Sequence, residues 1–239
     1  KNFFTNFRTI YPSITPVKKF PNKENIIIFS GKLNNAKGFD KFGNAISKIL
    51  DKYQNWKAIA IGDEPREKYN FKNKRLFFTG WISQDEVLKL YDKSSITVAP
   101  SLWEEPFGRS SLEAGSRGNA VIISKRGGLP ETISQPIFLK KITSQEIFTE
   151  IQKLILNKKY LKQKQLHNFK NPLHLINNNT KIMDIDRTKA LKPIKKFNIN
   201  LNKKLKILHV YNRAEKIGGR IYFISTGKKI ENGLIRLGH

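Results

Sequence analysis

The 239-residue chain has no cysteine, one methionine and only 19 acidic residues against 45 Lys+Arg. The missing cysteine excludes disulfides and thiolate-held metal centres. No His/Cys cluster has metal-ligand spacing either, and no Asp-x-Asp occurs in residues 1–160. No apolar run reaches the roughly 18 residues that a membrane-spanning helix needs, and no signal-peptide pattern opens the chain. The deficit of acids leaves a net charge of +26. That imbalance suggests polyanionic contacts, either nucleic acid or an anionic membrane face. No nucleic-acid-binding motif is recognisable, and the basic residues do not gather on one helix, so nucleic acid is not indicated. Loose contact with acidic headgroups fits better. A compositional bias toward Lys, Asn and Ile is the competing explanation.

What is present is a core. Hydrophobic residues make up 38% of the chain, with 16 Phe. Apolar β-branched runs alternate with helical patterns over residues 25–157. Strands are expected at Glu24–Ser30, Lys57–Ile61, Arg75–Phe78, Ser95–Ala99 and Asn119–Ser124. Helices are expected from about Gly38 to Tyr53, from the capping box Ser83-Gln-Asp-Glu86 to Ser94, from Ser110 to Arg117, and from a second capping box, Thr143-Ser-Gln-Glu146, to about Asn157. This alternation implies an α/β class: a Rossmann-like parallel sheet with helices on both faces. Ligands of such sheets bind outside the carboxyl ends of the strands. Gly31, Gly62, Gly80, Gly108, Gly127 and Gly128 fall at those ends.

One stretch carries more than punctuation. Glu105-Pro-Phe-Gly-Arg-Ser-Ser-Leu-Glu113 lies between a strand and a helix. Pro106 and Gly108 fix a tight loop. Glu105 sits on that loop and Glu113 one turn into the helix, where its side chain leans back toward the helix start. Carboxylates for hydroxyls and backbone N–H groups for phosphate oxygens are what a sugar nucleotide requires. Two solvated glutamates at an ordinary joint would show the same spacing. Lys32 and Lys37, after the first strand, are the candidate cations for a diphosphate.

Taken in order, Gly31-Lys32 through Lys37-Gly38, Gly62-Asp63, Thr79-Gly-Trp-Ile82, Pro100-Ser-Leu-Trp-Glu-Glu-Pro-Phe-Gly-Arg-Ser-Ser-Leu-Glu-Ala114 and Gly127-Gly-Leu-Pro-Glu131 resemble the donor-binding, C-terminal half of the GT-B glycosyltransferase family 4. The resemblance covers roughly residues 12–160. It implies a retaining, metal-free transfer with no cofactor beyond the nucleotide-diphosphate sugar. Glu105 would contact the donor sugar near the reaction centre, and Glu113 the ribose hydroxyls. Lys32, where the family more often has arginine, and Lys37 would neutralise the leaving diphosphate. Gly31, Trp81, Ile82, Phe107, Gly108 and Arg109 complete the expected substrate contacts, with Trp81 and Ile82 at the nucleobase and the Phe107 and Gly108 backbone at sugar and phosphate. Glu105, Glu113, Lys32 and Lys37 should then converge on one rim. The resemblance further implies a glycan or lipid-linked acceptor, a hexosyl transfer in surface-polysaccharide or lipopolysaccharide synthesis, and a cytoplasmic setting with peripheral contact at the inner membrane face. A non-catalytic nucleotide-sugar or polyanion-binding module is the alternative from another class. A GT-B-fold sugar-nucleotide epimerase or phosphorylase is the other enzymatic one.

The domain expectation is residues 1–160 for the donor-binding unit, 161–204 for a helical linker segment rich in Lys and Asn, and 205–239 for an incomplete βα unit. That last unit would have a strand at Leu205–Val210 and a helix from about Arg220 to Leu237, like the start of a second GT-B-like domain. The chain is expected to be a fragment of a longer tandem protein, inactive alone.

Overall fold

The computed structural model describes residues 9–191, together with residues 216–217 and 220–221. The chain divides into two units, Lys1–Arg187 and Thr188–His239.

The first unit is built on six parallel strands: β1 (Ile26–Ser30), β2 (Lys57–Ile61), β3 (Leu76–Gly80), β4 (Ile96–Ala99), β5 (Ala120–Ile123) and β6 (Ile137–Phe138). Their order across the sheet is β3-β2-β1-β4-β5-β6. The order reverses between β1 and β4, so the loops after these two strands leave on opposite sides of a crevice. The helices are α1 (Phe39–Lys52), α2 (Gln84–Lys93), α3 (Arg109–Ser116), α4 (Ser144–Leu156), α5 (Lys158–Lys170) and α6 (Ile176–Leu191).

Strand alternation sorts the core onto two faces. Ile27 and Phe29 of β1 join Phe39, Phe42, Ile46 and Ile49 of α1 and Ile147, Ile151 and Leu154 of α4 in one cluster. Ile26 and Ile28 join Tyr91 of α2 and Ala114 of α3 in the other. Because both faces are covered, the strands read as continuous apolar runs rather than alternating ones.

The Ser83 capping box forms as expected, with side chain and backbone bonded reciprocally to Glu86. At Thr143 only half the box forms. Its hydroxyl accepts from Glu146 N, whereas the Glu146 carboxylate accepts from Lys140 N at 3.4 Å.

One short strand escaped the sequence reading, and one helix, expected at about Lys158 to Phe169, was assigned to the linker region. The two-residue β6 is too short to show a period. In α5 the buried positions are amides rather than hydrocarbons. Gln165 donates to Ser95 O at 3.1 Å and Asn168 to Asn119 O at 3.0 Å. α5 therefore belongs to the sheet-bearing unit, beyond the boundary at 160 that composition suggested. In the second unit, β7 (Lys216–Ile217) pairs antiparallel with β8 (Arg220–Ile221). A strand thus stands at Arg220 and Ile221, where a helix was expected to start. The expected strand at Leu205–Val210 lies outside the described residues.

Lys23 ties the amino-terminal edge of the sheet to two helices. Its ammonium donates to Tyr91 O at 2.8 Å and to Arg117 O at 2.6 Å, at the ends of α2 and α3. Asn119 also serves Tyr91 O, so Lys23→Met would orphan chiefly the Arg117 carbonyl. The expected cost is about 1–3 kcal/mol in a urea titration. Burial pushes the Lys23 ammonium down from 10.5 to about 7, against an opposing pull from Asp92 and with help from Arg117 and Lys162. Between those two values the unfolded chain holds a proton that the native chain has released. Stability should therefore rise with pH from about 7 to about 10.5 through this group, and that slope should vanish in Lys23→Met.

Candidate functional site

Local backbone chemistry builds the site from three loops. After β1, Gly31 has φ +149° and Gly38 φ +71°. A side chain at Gly38 would put its Cβ 2.1 Å from Pro100 O, so only glycine lets this loop close onto the end of β4. Asn34 caps the short 3₁₀ turn Asn35–Lys37 by accepting from Lys37 N at 3.0 Å. The loop after β4 is fastened to this turn at a single carbonyl. Leu102 N and Trp103 N donate to Ala36 O at 2.9 and 3.0 Å. Sequence positions 68 apart are thereby brought within reach. Lys37 Nζ lies 2.6 Å from both carboxylate oxygens of Glu105.

The third loop follows β5. Glu104, beside Glu105, accepts from Arg126 Nη1 at 2.8 Å and from Gly127 N at 2.5 Å. These bonds, the Arg126 one foremost, hold its carboxyl below the usual range. Gly128 N donates to Glu105 O at 2.7 Å. The two glutamates are thus divided: Glu104 anchors the β5 loop, and Glu105 faces Lys37. The glycine pair after a strand was visible in the sequence. Its service as backbone support for Glu105 was not, since nothing local announces a contact 23 residues away.

Glu113 is buried on α3 with a side-chain exposure of 7%, and it accepts from Arg109 Nε at 2.7 Å across one helical turn. Gly108, with φ +102°, precedes the helix and no side chain caps its first turn.

Lys37, Glu105, Gly108 and Glu113 line one cleft of about 350 Å³ at the carboxyl ends of the strands. Of the expected residues, Gly31, Lys37, Trp81, Ile82, Glu105, Gly108, Arg109 and Glu113 border it. Trp81 is 69% exposed at the mouth. Gly62, Ser101, Ser110 and Gln84 also border it and were not singled out as contacts. Lys32 does not line the cleft, and its side chain is exposed. Its carbonyl accepts from Asn34 N in a tight turn beyond Gly31, and the side chain leaves toward solvent. The convergence expected of four charged residues is therefore met by three, with Arg109 as the further cation. The Phe107 side chain also turns away. It packs with Ile14 and Leu112 and meets the rings of Tyr11 and His174 at 5.4 and 5.3 Å. Phe107, expected among the substrate contacts, thus does not border the cleft, because its ring is taken into this separate apolar cluster. Among the described residues no group of three His, Cys, Asp or Glu could hold a metal ion, and no helix is long and apolar enough to cross a membrane.

A clamp behind the Lys37 loop went unread. Asn34 Nδ2 donates to Glu64 at 3.4 Å, and Asn35 N donates to Glu67 at 2.9 Å. The Arg66 guanidinium grips Glu64 at 2.7 and 2.8 Å. That contact, ahead of all others, holds the Glu64 carboxyl down at about 2 from its ordinary 4.5. The clamp should be intact above pH 4.5 and released as pH falls toward 2, because the native state resists protonation that the unfolded chain accepts. Amide exchange at Asn35 and Lys37 is expected to accelerate over that interval beyond its intrinsic pH dependence. Glu64→Gln should show fast exchange at neutral pH already.

A doubly wound α/β domain with a cleft of paired charges at its switch point is a ligand-binding architecture. Comparison with known proteins makes it specific: residues 12–171 match the family described as glycosyl transferases group 1, and the chain belongs to that family. An uncharacterized glycosyltransferase of Methanocaldococcus jannaschii is 33% identical over 122 residues, covering 48% of this chain and 30% of that protein. A lipopolysaccharide 1,2-N-acetylglucosaminetransferase of Salmonella typhimurium is 24% identical, covering 56% of this chain and 40% of the relative. The chain thus spans well under half the length of these curated relatives. Among solved structures, the C-terminal domain of a group 1 family glycosyl transferase from Francisella tularensis superposes with a TM-score of 0.56 at 27% identity. That match covers 65% of this chain and 92% of that one. The Anabaena protein HepE, solved with UDP and glucose, superposes with a TM-score of 0.59 at 18% identity, covering 69% of this chain and 48% of its own. The fold is that of one GT-B glycosyltransferase half.

Proposed function

We propose that the chain supplies the donor-binding half of a retaining, family 4-type transferase. That enzyme moves a hexosyl group from a nucleotide-diphosphate sugar to a glycan or lipid-linked acceptor, without a metal or other cofactor. The observation that carries this reading is the Lys37–Glu105 contact at 2.6 Å inside the cleft at the strand ends. It sets a cation for a leaving phosphate beside a carboxylate for a sugar hydroxyl. When the glycosyl–phosphate bond breaks, negative charge gathers on the diphosphate. A pre-positioned ammonium and the N–H groups at the start of α3 stabilise that charge more than they stabilise the ground state. Glu113 takes the ribose hydroxyls, and Trp81 with Ile82 takes the base. Lys32, outside the cleft, is given no direct contact with the donor.

UDP in the complex of a fold relative supports the nucleotide-sugar class. The Salmonella relative's lipopolysaccharide activity supports a surface-glycan product. The acceptor half would lie outside this chain, which alone would be inactive. The excess positive charge suits peripheral contact with anionic lipid at the inner membrane face. The same charge favours a second reading, a module that binds any polyanion.

Calorimetry of the chain with UDP-, GDP- and ADP-sugars separates the two. Saturable binding of one nucleotide, little altered by salt, is expected. Indiscriminate binding that collapses as salt rises would instead identify the polyanion module.

A further inference from the structure

The charged residues lining the cleft are two cations and two carboxylates, and they are already joined in pairs. Lys37 is held by Glu105 and Arg109 by Glu113. A diphosphate cannot simply settle beside these pairs, because the carboxylates would repel it at the distance where the cations attract it. Lys32, the second cation anticipated from the sequence, does not line the cleft. Arg109 does. It opens α3, and its side chain is 63% exposed. Its bond to Glu113 uses Nε, so the terminal nitrogens of the guanidinium fork stay available, and a planar fork suits two phosphate oxygens better than an ammonium does. Ser110, the next residue of the same first turn, also borders the cleft.

Resting on the nucleotide-sugar reading above, we propose that the donor enters by ion exchange, with Arg109 rather than Lys32 as the second diphosphate cation. The phosphates draw Lys37 from Glu105 and Arg109 from Glu113. The two freed carboxylates then accept hydrogen bonds from sugar and ribose hydroxyls. Each carboxylate is paired with a cation until the phosphates arrive, so the diphosphate and the sugar hydroxyls reinforce each other's binding. A free sugar or nucleoside, lacking phosphate, meets carboxylates still paired with their cations.

The exchange predicts effects of opposite sign on one pocket. The probes are inorganic pyrophosphate and UDP, GDP and ADP, titrated into the purified chain and its variants at fixed ionic strength. Arg109→Gln should weaken pyrophosphate and the preferred nucleotide at least tenfold. Lys32→Gln should leave both within about twofold, the range of a distant exposed charge. Glu113→Gln, which frees Arg109 from its partner, should tighten pyrophosphate about two- to fivefold while weakening the nucleotide, whose ribose loses its acceptor. A merely structural role for the pair would make Glu113→Gln weaken both probes. Arg109→Lys replaces Arg109→Gln should the latter fail to fold, and is expected to retain part of the affinity. The inference falls, and the donor-site reading stands, if the chain binds a nucleotide but Lys32→Gln costs more than Arg109→Gln. It falls equally if Glu113→Gln weakens pyrophosphate. Absence of any binding of pyrophosphate or nucleotide to the unaltered chain would overturn both together.

Discussion

Lys37→Ala is expected to lower glycosyl transfer by about 10²–10³-fold, the loss seen when one pre-positioned donor to a developing negative charge is removed. On the proposed reading, the assay uses the chain joined to an acceptor half. Stability should hardly change. The Lys37 side chain is 31% exposed, and an ion pair of that kind contributes at most about 1 kcal/mol, with solvent screening reducing it further. The separation of the two effects is the useful part. A residue that merely held the loop would lose activity in proportion to stability. Lys37→Arg should retain part of the rate, since it preserves the charge but not the length. Single-turnover transfer with saturating donor distinguishes a lost transition-state contact from lost donor binding. Turnover within threefold of the parent in Lys37→Ala would remove the electrostatic role assigned to it.

Gly127→Ala should be as damaging without touching any charged group. Its φ of +52° costs an L-residue about 1–2 kcal/mol. Crowding costs more. A Cβ there would come 2.1 Å from Glu105 O and 2.6 Å from Glu105 N. Those atoms are backbone and cannot rotate aside, so the Glu105 loop must move. We expect a loss of about 2–5 kcal/mol in a urea titration, together with loss of nucleotide binding. Gly80→Ala is the matched control. Its φ is +65°, yet nothing stands within 4 Å of the added carbon, so it should show the conformational cost alone. Equal stability losses in the two variants would mean that the contact between the β5 loop and Glu105 is not what fixes the site.

Both predictions depend on contacts that the sequence discloses unevenly. The parallel sheet was legible because doubly buried strands are nearly pure Ile, Val, Ala and Phe. The α2 start was legible because a capping box is a local device. Glu105 and Glu113 stood out through the turn chemistry between them, and Lys37 through its place after a strand and before glycine. Lys32 looked equivalent to Lys37, and two residues past a strand end, spacing cannot say which way a side chain leaves. Arg109 was expected among the substrate contacts, but its engagement of Glu113 is a rotamer choice that composition does not reveal. The Glu64 and Glu67 clamp was invisible for a different reason. It joins two irregular loops, and irregular segments carry no period from which a neighbour could be inferred. α5 was legible as a helix and misplaced as linker, since Gln165 and Asn168 serve as its buried residues.

The decisive measurement is the structure of the chain bound to its preferred nucleotide-diphosphate sugar. Phosphate oxygens are expected about 3 Å from Lys37 Nζ, with the Glu105 carboxylate turned from the lysine to a sugar hydroxyl. A donor seated elsewhere on the domain, with the Lys37–Glu105 pair still closed, would contradict the assignment of this cleft.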